Sequence, residues 1–147
     1  MTRKRSTVRL LLLVQSGLIL IAFNKFFAHP LNYMFKNHGD GLKNYFTFYS
    51  YLSPNNPSLV KMDQMNFPFG EYIFYTDNTP LLAIPLKFFS TYVFDISPYS
   101  ITLFNGLCIF SLLLSTYYLY KILFRLLKER WMIFIFSIML VLSLIHI

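Results

Sequence analysis

"ISPYSITLFNGLCIFSLLLSTYYLY", Ile96 to Tyr120, holds no charged residue and is closed by Lys121. A helix rises about 1.5 Å per residue and a bilayer core is about 30 Å thick, so roughly 20 apolar residues cross it. This stretch is long enough. Its flanks extend the same reading. Downstream, "WMIFIFSIMLVLSLIHI" opens on Trp131, a residue suited to the headgroup region, and stays uncharged to Ile147. Upstream, Leu10 to Phe27 is apolar apart from Gln15, Asn24 and Lys25, and the lysine lies near the end, where its stem can return the ammonium to the headgroups. The expected fold is an α-helical integral membrane protein with three transmembrane helices, at 10–27, 96–120 and 131–147.

Composition excludes an ordinary soluble domain: of 147 residues 56% are hydrophobic, 20% aromatic and only 13% charged. Cys108 is the single cysteine, which removes a disulfide framework and a cysteine metal site. The net charge of +7 does not point to nucleic acid, because the basic residues cluster beside the apolar segments. Arg3, Lys4, Arg5 and Arg9 precede the first, and Lys121, Arg125, Lys128 and Arg130 separate the second from the third. Positive charge is retained on the cytoplasmic side, so a basic tail (1–9) and a short loop (121–130) face the cytoplasm, and the long segment 28–95 faces outward. A bacterial inner (plasma) membrane is the expected location. A basic start before an apolar run also describes a signal peptide, but the bulky "FNKFFAHPLNY" offers no small-residue cleavage site, and a retained anchor fits better. The third span has no polar flank after it, so the chain reads as an amino-terminal fragment. The closing "LSLIHI" resembles tails of assembled reading frames that run into adapter sequence, which leaves the native status of residues 143–147 open.

The outer segment has its own order. "NHGDGLKNYFTFYSYL", Asn37 to Leu52, sets Asp40 between two glycines and ahead of a helical pattern. An aspartate at that point suits a helix cap, its carboxylate accepting free backbone N–H groups. Asp40, Lys43, Thr47 and Ser50 then share one stripe, expected to face water or a cavity, and Leu42, Tyr45, Tyr49 and Leu52 share another. Such an aromatic amphipathic helix, near 41–52, suits the membrane surface. "SPNNPS" ends it, and Pro68 and Gly70 argue against a regular element in "MNFPFGEYIFYTDNTP". "PLLAIPLKFFSTYVFD" is too short to span and reads as a second surface helix near 80–94.

This layout, with "GDG" just past the first membrane helix and "MNFPFGEYIFYTDNTP" before the second surface helix, resembles the amino-terminal part of GT-C-type polytopic membrane glycosyltransferases, over nearly the whole chain. The resemblance implies transfer of a sugar from a polyprenyl-phosphate donor to an acceptor on the outer face. It also implies an acidic residue soon after the first helix, serving as catalytic base or as ligand of a divalent cation such as Mg or Mn. Asp40 matches that position, although Lys43, not a second carboxylate, follows at the next helical step. A carboxylate within hydrogen-bond reach of an acceptor hydroxyl is what such chemistry needs, and a helix N-terminus beside it can hold a phosphate. The fragment alone is expected to be inactive, because the donor groove of such enzymes is built by further helices.

Each candidate has two readings. Asp40 is a catalytic base and metal ligand, or a plain cap. Asp77 is a second carboxylate brought to Asp40, or a turn former in "TDNTP". His38 is a proton shuttle or phosphate donor, or an exposed turn residue. Lys43 contacts a lipid phosphate, or neutralises Asp40 on the same stripe. Glu71 reads as solvated. No GxGxxG, GKS/T, CxxC or HExxH spacing is present, which argues against nucleotide loops and zinc sites. The rival class is a non-catalytic membrane protein, such as a transporter, flippase or assembly subunit. Transporters place functional charges near the membrane midplane, whereas the three segments here hold only peripheral Lys25.

Overall fold

In the computed structural model, which describes residues 2–76 and 79–143, the chain is mostly α-helical. The order is α1 (Thr2–Ala22), α2 (Asn24–Ala28), α3 (Gly39–Leu52), β1 (Lys61–Met62), β2 (Glu71–Tyr72), α4 (Pro80–Tyr92), α5 (Ser100–Leu126) and α6 (Arg130–Ser143). Single 3-10 turns, Ile73–Tyr75 and Ser97–Tyr99, follow β2 and precede α5. Two units form: Met1–Phe27 with Gly106–Ile147, and Ala28–Asn105.

In the first unit α1, the greater part of α5 and α6 come together. Leu11, Tyr120, Ile133 and Ile138 are its buried cluster, with Val8, Leu18, Phe124 and Phe134 packed around them. Each helix also buries one polar residue. Thr116 on α5 and Ser137 on α6 donate to carbonyls one turn back in their own helices, Leu112 O at 2.9 Å and Ile133 O at 2.6 Å. Gln15 on α1 is fully buried with neither amide atom hydrogen-bonded.

Among the described residues, the stretch Ser97–Leu126, 30 residues counted from the 3-10 turn, is long and apolar enough to cross a membrane. The apolar parts of α1 (Ser6–Ala22) and α6 (Trp131–Ser143) are shorter. Three expected boundaries move. The first apolar segment is not one helix to Phe27: α1 stops at Ala22, where Asn24 Nδ2 donates to Ile21 O (2.8 Å) and so takes a carbonyl the helix would have used. The helix also begins inside the basic tail. At the other end α5 continues past Tyr120 to Leu126, because "KILFRL" contains no breaker, and residues 121–126 are helix instead of loop. Lys121 turns its ammonium onto the Tyr117 ring, 4.3 Å from the centroid.

The second unit is built around α3, which packs on α4 and on the Ser97–Tyr99 turn. Tyr45, Phe48, Tyr51 and Leu52 of α3 are buried, as are Met62, Ile73, Ala83 and Ile96. The polar stripe expected to face water does so only in its first half. Asp40 and Lys43 are exposed, but Thr47 and Ser50 are buried, because the second half of α3 is covered on more than one side. Thr47 satisfies its hydroxyl on Lys43 O (3.0 Å). The segment expected to be irregular contains a short antiparallel ladder, Lys61 opposite Tyr72 and Met62 opposite Glu71. Pro68 and Gly70 sit in its connection, where no ladder hydrogen bond is needed.

Candidate functional site

The "GDG" stretch has a local physical cause. Gly39 takes a left-handed φ of 56°, a conformation that glycine enters without a steric penalty. At Gly41 a Cβ would stand 2.6 Å from Lys36 Cβ and 2.7 Å from its Cγ, so the lysine stem lies against bare helix backbone. Both glycines are therefore needed by the backbone, and the side chain between them is left outside. Asp40 is exposed in the first turn of α3, where a carboxylate meets the positive end of the helix dipole. It is not the cap. The helix begins at Gly39, two residues earlier than the expected start at 41, with His38 as N-cap and no side-chain cap bond from it. His38 is exposed, its Nδ1 3.1 Å from Asn37 Oδ1. Lys43 is exposed one turn on, and no Asp40–Lys43 ion pair forms among the described residues, where Lys61 pairs with Asp63 at 3.7 Å.

This helix is tied down within the same unit by a polar network that is buried at Tyr45 and Asn105. Tyr45 OH donates to Asn105 Oδ1 and accepts from Phe35 N (3.0 Å). Asn105 Nδ2 donates to Tyr33 O (2.7 Å), and Thr102 Oγ1 donates to Pro30 O (2.7 Å). Segment 30–35, α3 and the first turns of α5 are thereby locked together. Beside the network is a cavity of about 380 Å³ lined mainly by apolar groups, among them Leu31, Met34, Leu42, Tyr45, Phe46, Tyr49, Pro98 and Ile101. Its α3 residues lie on the stripe away from Asp40, so the carboxylate opens to solvent and not into the cavity.

The other end of α3 holds a group that the sequence pattern does not reveal. Lys87 on α4 is fully buried, and its Nζ donates to Ser53 O (2.7 Å), the carbonyl of the α3 C-cap residue. A cation there meets the negative end of the helix dipole. Burial pushes the Lys87 ammonium below its ordinary range, and Asp95 partly offsets this. Ser90, one turn further along α4, donates to Leu52 O (2.9 Å) and accepts from Ile96 N (3.2 Å). Asp95 accepts from Ser97 N (2.9 Å), and the serine N–H and hydroxyl hold its carboxyl below the usual range. Tyr51 donates to Leu59 O (2.5 Å), and burial pushes its phenol up to about 12. The only sequence signal for this cluster was a lysine inside an otherwise apolar helix.

Among the described residues no three His, Cys, Asp or Glu side chains come together, and Asp77, the second expected ligand, lies outside those residues. One exposed carboxylate does not make a hard-cation site. Glu71 is half-buried in β2, opposite Met62.

No curated protein and no solved structure matches the chain. Residues 12–147 match a family described as a domain of unknown function, DUF6311, and the chain belongs to that family.

Proposed function

We propose that this chain forms the outer-face acidic part of a membrane glycosyltransferase, with Asp40 as general base. The observation that carries the reading is the placement of Asp40. Its carboxylate is exposed, held by two glycines with backbone roles, and joined through the Tyr45–Asn105 network to the start of α5. In this reading α5 crosses the bilayer. Only 11% of its most apolar stretch is covered by the protein, which suits a helix whose solvent is lipid. The helical parts of α1 and α6 are the other two spans, and the basic residues at 3–9 and 121–130 hold their side in the cytoplasm of a bacterial inner membrane.

The chemistry follows from the carboxylate. An acceptor hydroxyl hydrogen-bonded to Asp40 gives up its proton as its oxygen attacks the anomeric carbon of a sugar on a lipid phosphate. The bond from that carbon to the phosphate oxygen breaks, and the phosphate leaves with the electron pair from the opposite face. The anomeric configuration inverts. His38 and Lys43 flank Asp40 in sequence and on the first turns of α3, positions from which they would contact the phosphate. In the full reading frame that carries this chain, Asp40→Asn should lower transfer from a polyprenyl-phosphate sugar by about 10²-fold or more while expression is unchanged. Turnover at the unsubstituted rate would remove Asp40 from the mechanism.

A further inference from the structure

The connection between β1 and β2 is a rigid tip that presents aromatic rings outward. Asn66 accepts from Phe69 N (3.0 Å) and Gly70 N (3.2 Å), which closes the turn on its own backbone. Asn66 and Gly70 take left-handed φ values of 56° and 71°. The left-handed φ at Gly70 strains any other side chain there, and a Cβ would also stand 3.2 Å from Met62 O. With the backbone fixed in this way, the rings do not fold back. Phe67 and Phe69 on the connection keep 84 and 78% of their surface exposed, and Phe74 and Tyr75, in the turn after β2, are exposed as well. Residues 64–70 carry no charge, whereas Lys61, Asp63 and Glu71 are at the base. Met62 and Ile73 are buried, so the hairpin has an inner apolar face against its own unit and an outer aromatic tip.

We propose that this tip is a membrane-dipping element, whose Phe67 and Phe69 insert at the bilayer interface. Large exposed apolar rings grouped on one uncharged turn mark an interaction site. The uncharged rings suit the headgroup boundary, where aromatic side chains partition, and the same unit runs without interruption into the apolar α5. A protein partner is the competing occupant, but the tip carries neither a charge nor a groove to select one. The proposal rests on the membrane reading above and adds a second point of contact to it. Such a contact would hold the unit that carries Asp40 down against the lipid surface.

The test uses the reconstituted chain with Trp131→Phe, which removes its single tryptophan. Phe67→Trp and Phe69→Trp each place a probe at the tip, where no packing is lost, and Phe110→Trp places a control in α5. Vesicles are phosphatidylcholine with bromine on the acyl chain either near the headgroup or near the methyl end. Blue-shifted tip emission that loses most of its intensity to the shallow bromines supports the proposal. Emission at the position of water, quenched by iodide, overturns it. So does blue-shifted emission that no brominated lipid quenches, which would mark a second copy or another protein over the tip. If the α5 probe responds to deep bromines and the tip does not, the insertion fails while the span stands. If neither responds, the membrane reading itself has failed.

Discussion

Asp95 holds the turn that leads into α5, accepting from Ser97 N at 2.9 Å and from Ser90 Oγ at 3.5 Å. These bonds, with the Lys87 charge, favour the carboxylate in the folded chain, so its pKa falls below the ordinary 3.8. The unfolded chain then binds more protons than the native one as pH drops below about 4, and the stabilisation present above that pH is lost as the carboxyl protonates. Asp95→Asn should flatten the fall of the unfolding midpoint on acidification, measured in detergent between about pH 5 and pH 2. An unchanged acid limb would mean that the bond to Ser97 is not maintained in solution. The same scale separates what was legible from what was not. Gly39 reads as a helix start from its position alone, since a breaker before an amphipathic run has few other uses. The need for Gly41 does not, because its cause is the stem of Lys36, which reaches it across the turn. Asp40 suits a cap by its sequence position, one of its two readings, yet the helix starts at Gly39 and the cap position falls to His38.

At the scale of elements, α3 and α4 are the pair that shapes the outer unit. Their ranges lie close to the stretches read from hydropathy and turn residues, 41–52 and 80–94, because Gly39, Ser53 and Pro80 punctuate the chain locally. What joins them was not legible. Lys87 looks like an interruption of an apolar helix, and only the packing of α4 on the end of α3 turns it into a bond to a C-terminal carbonyl. Lys87→Ala removes that bond and leaves a cavity, and should cost about 2–4 kcal/mol in the thermal or chemical unfolding of the purified chain. Lys87→Met keeps the stem volume and should cost clearly less, since it also removes the burial of a charge. Equal losses would show that the hydrogen bond, and not the packing, dominates. The β1–β2 ladder was missed for a related reason: each strand is two residues long, too short for an alternating pattern, and its pairing depends on a turn closed by Asn66.

For the whole molecule, the sequence predicts three spans, and the described residues contain one helix that meets the length and composition of a span by itself. The difference arises at the ends of the other two. α1 is broken at Phe23 by the Asn24 side chain, and the apolar part of α6 is described only from Trp131 to Ser143. The division into an α1–α5–α6 unit and a 28–105 unit follows the contrast in composition between apolar segments and the polar, turn-rich loop. The proposed chemistry depends on which side of the bilayer that loop faces. With Cys108→Ser removing the native thiol, Asp40→Cys gives a single reporter at the carboxylate position. In intact spheroplasts a membrane-impermeant maleimide should label it before lysis, to the same extent as after. Labelling that appears only once the membrane is opened would put Asp40 on the cytoplasmic side and contradict the account.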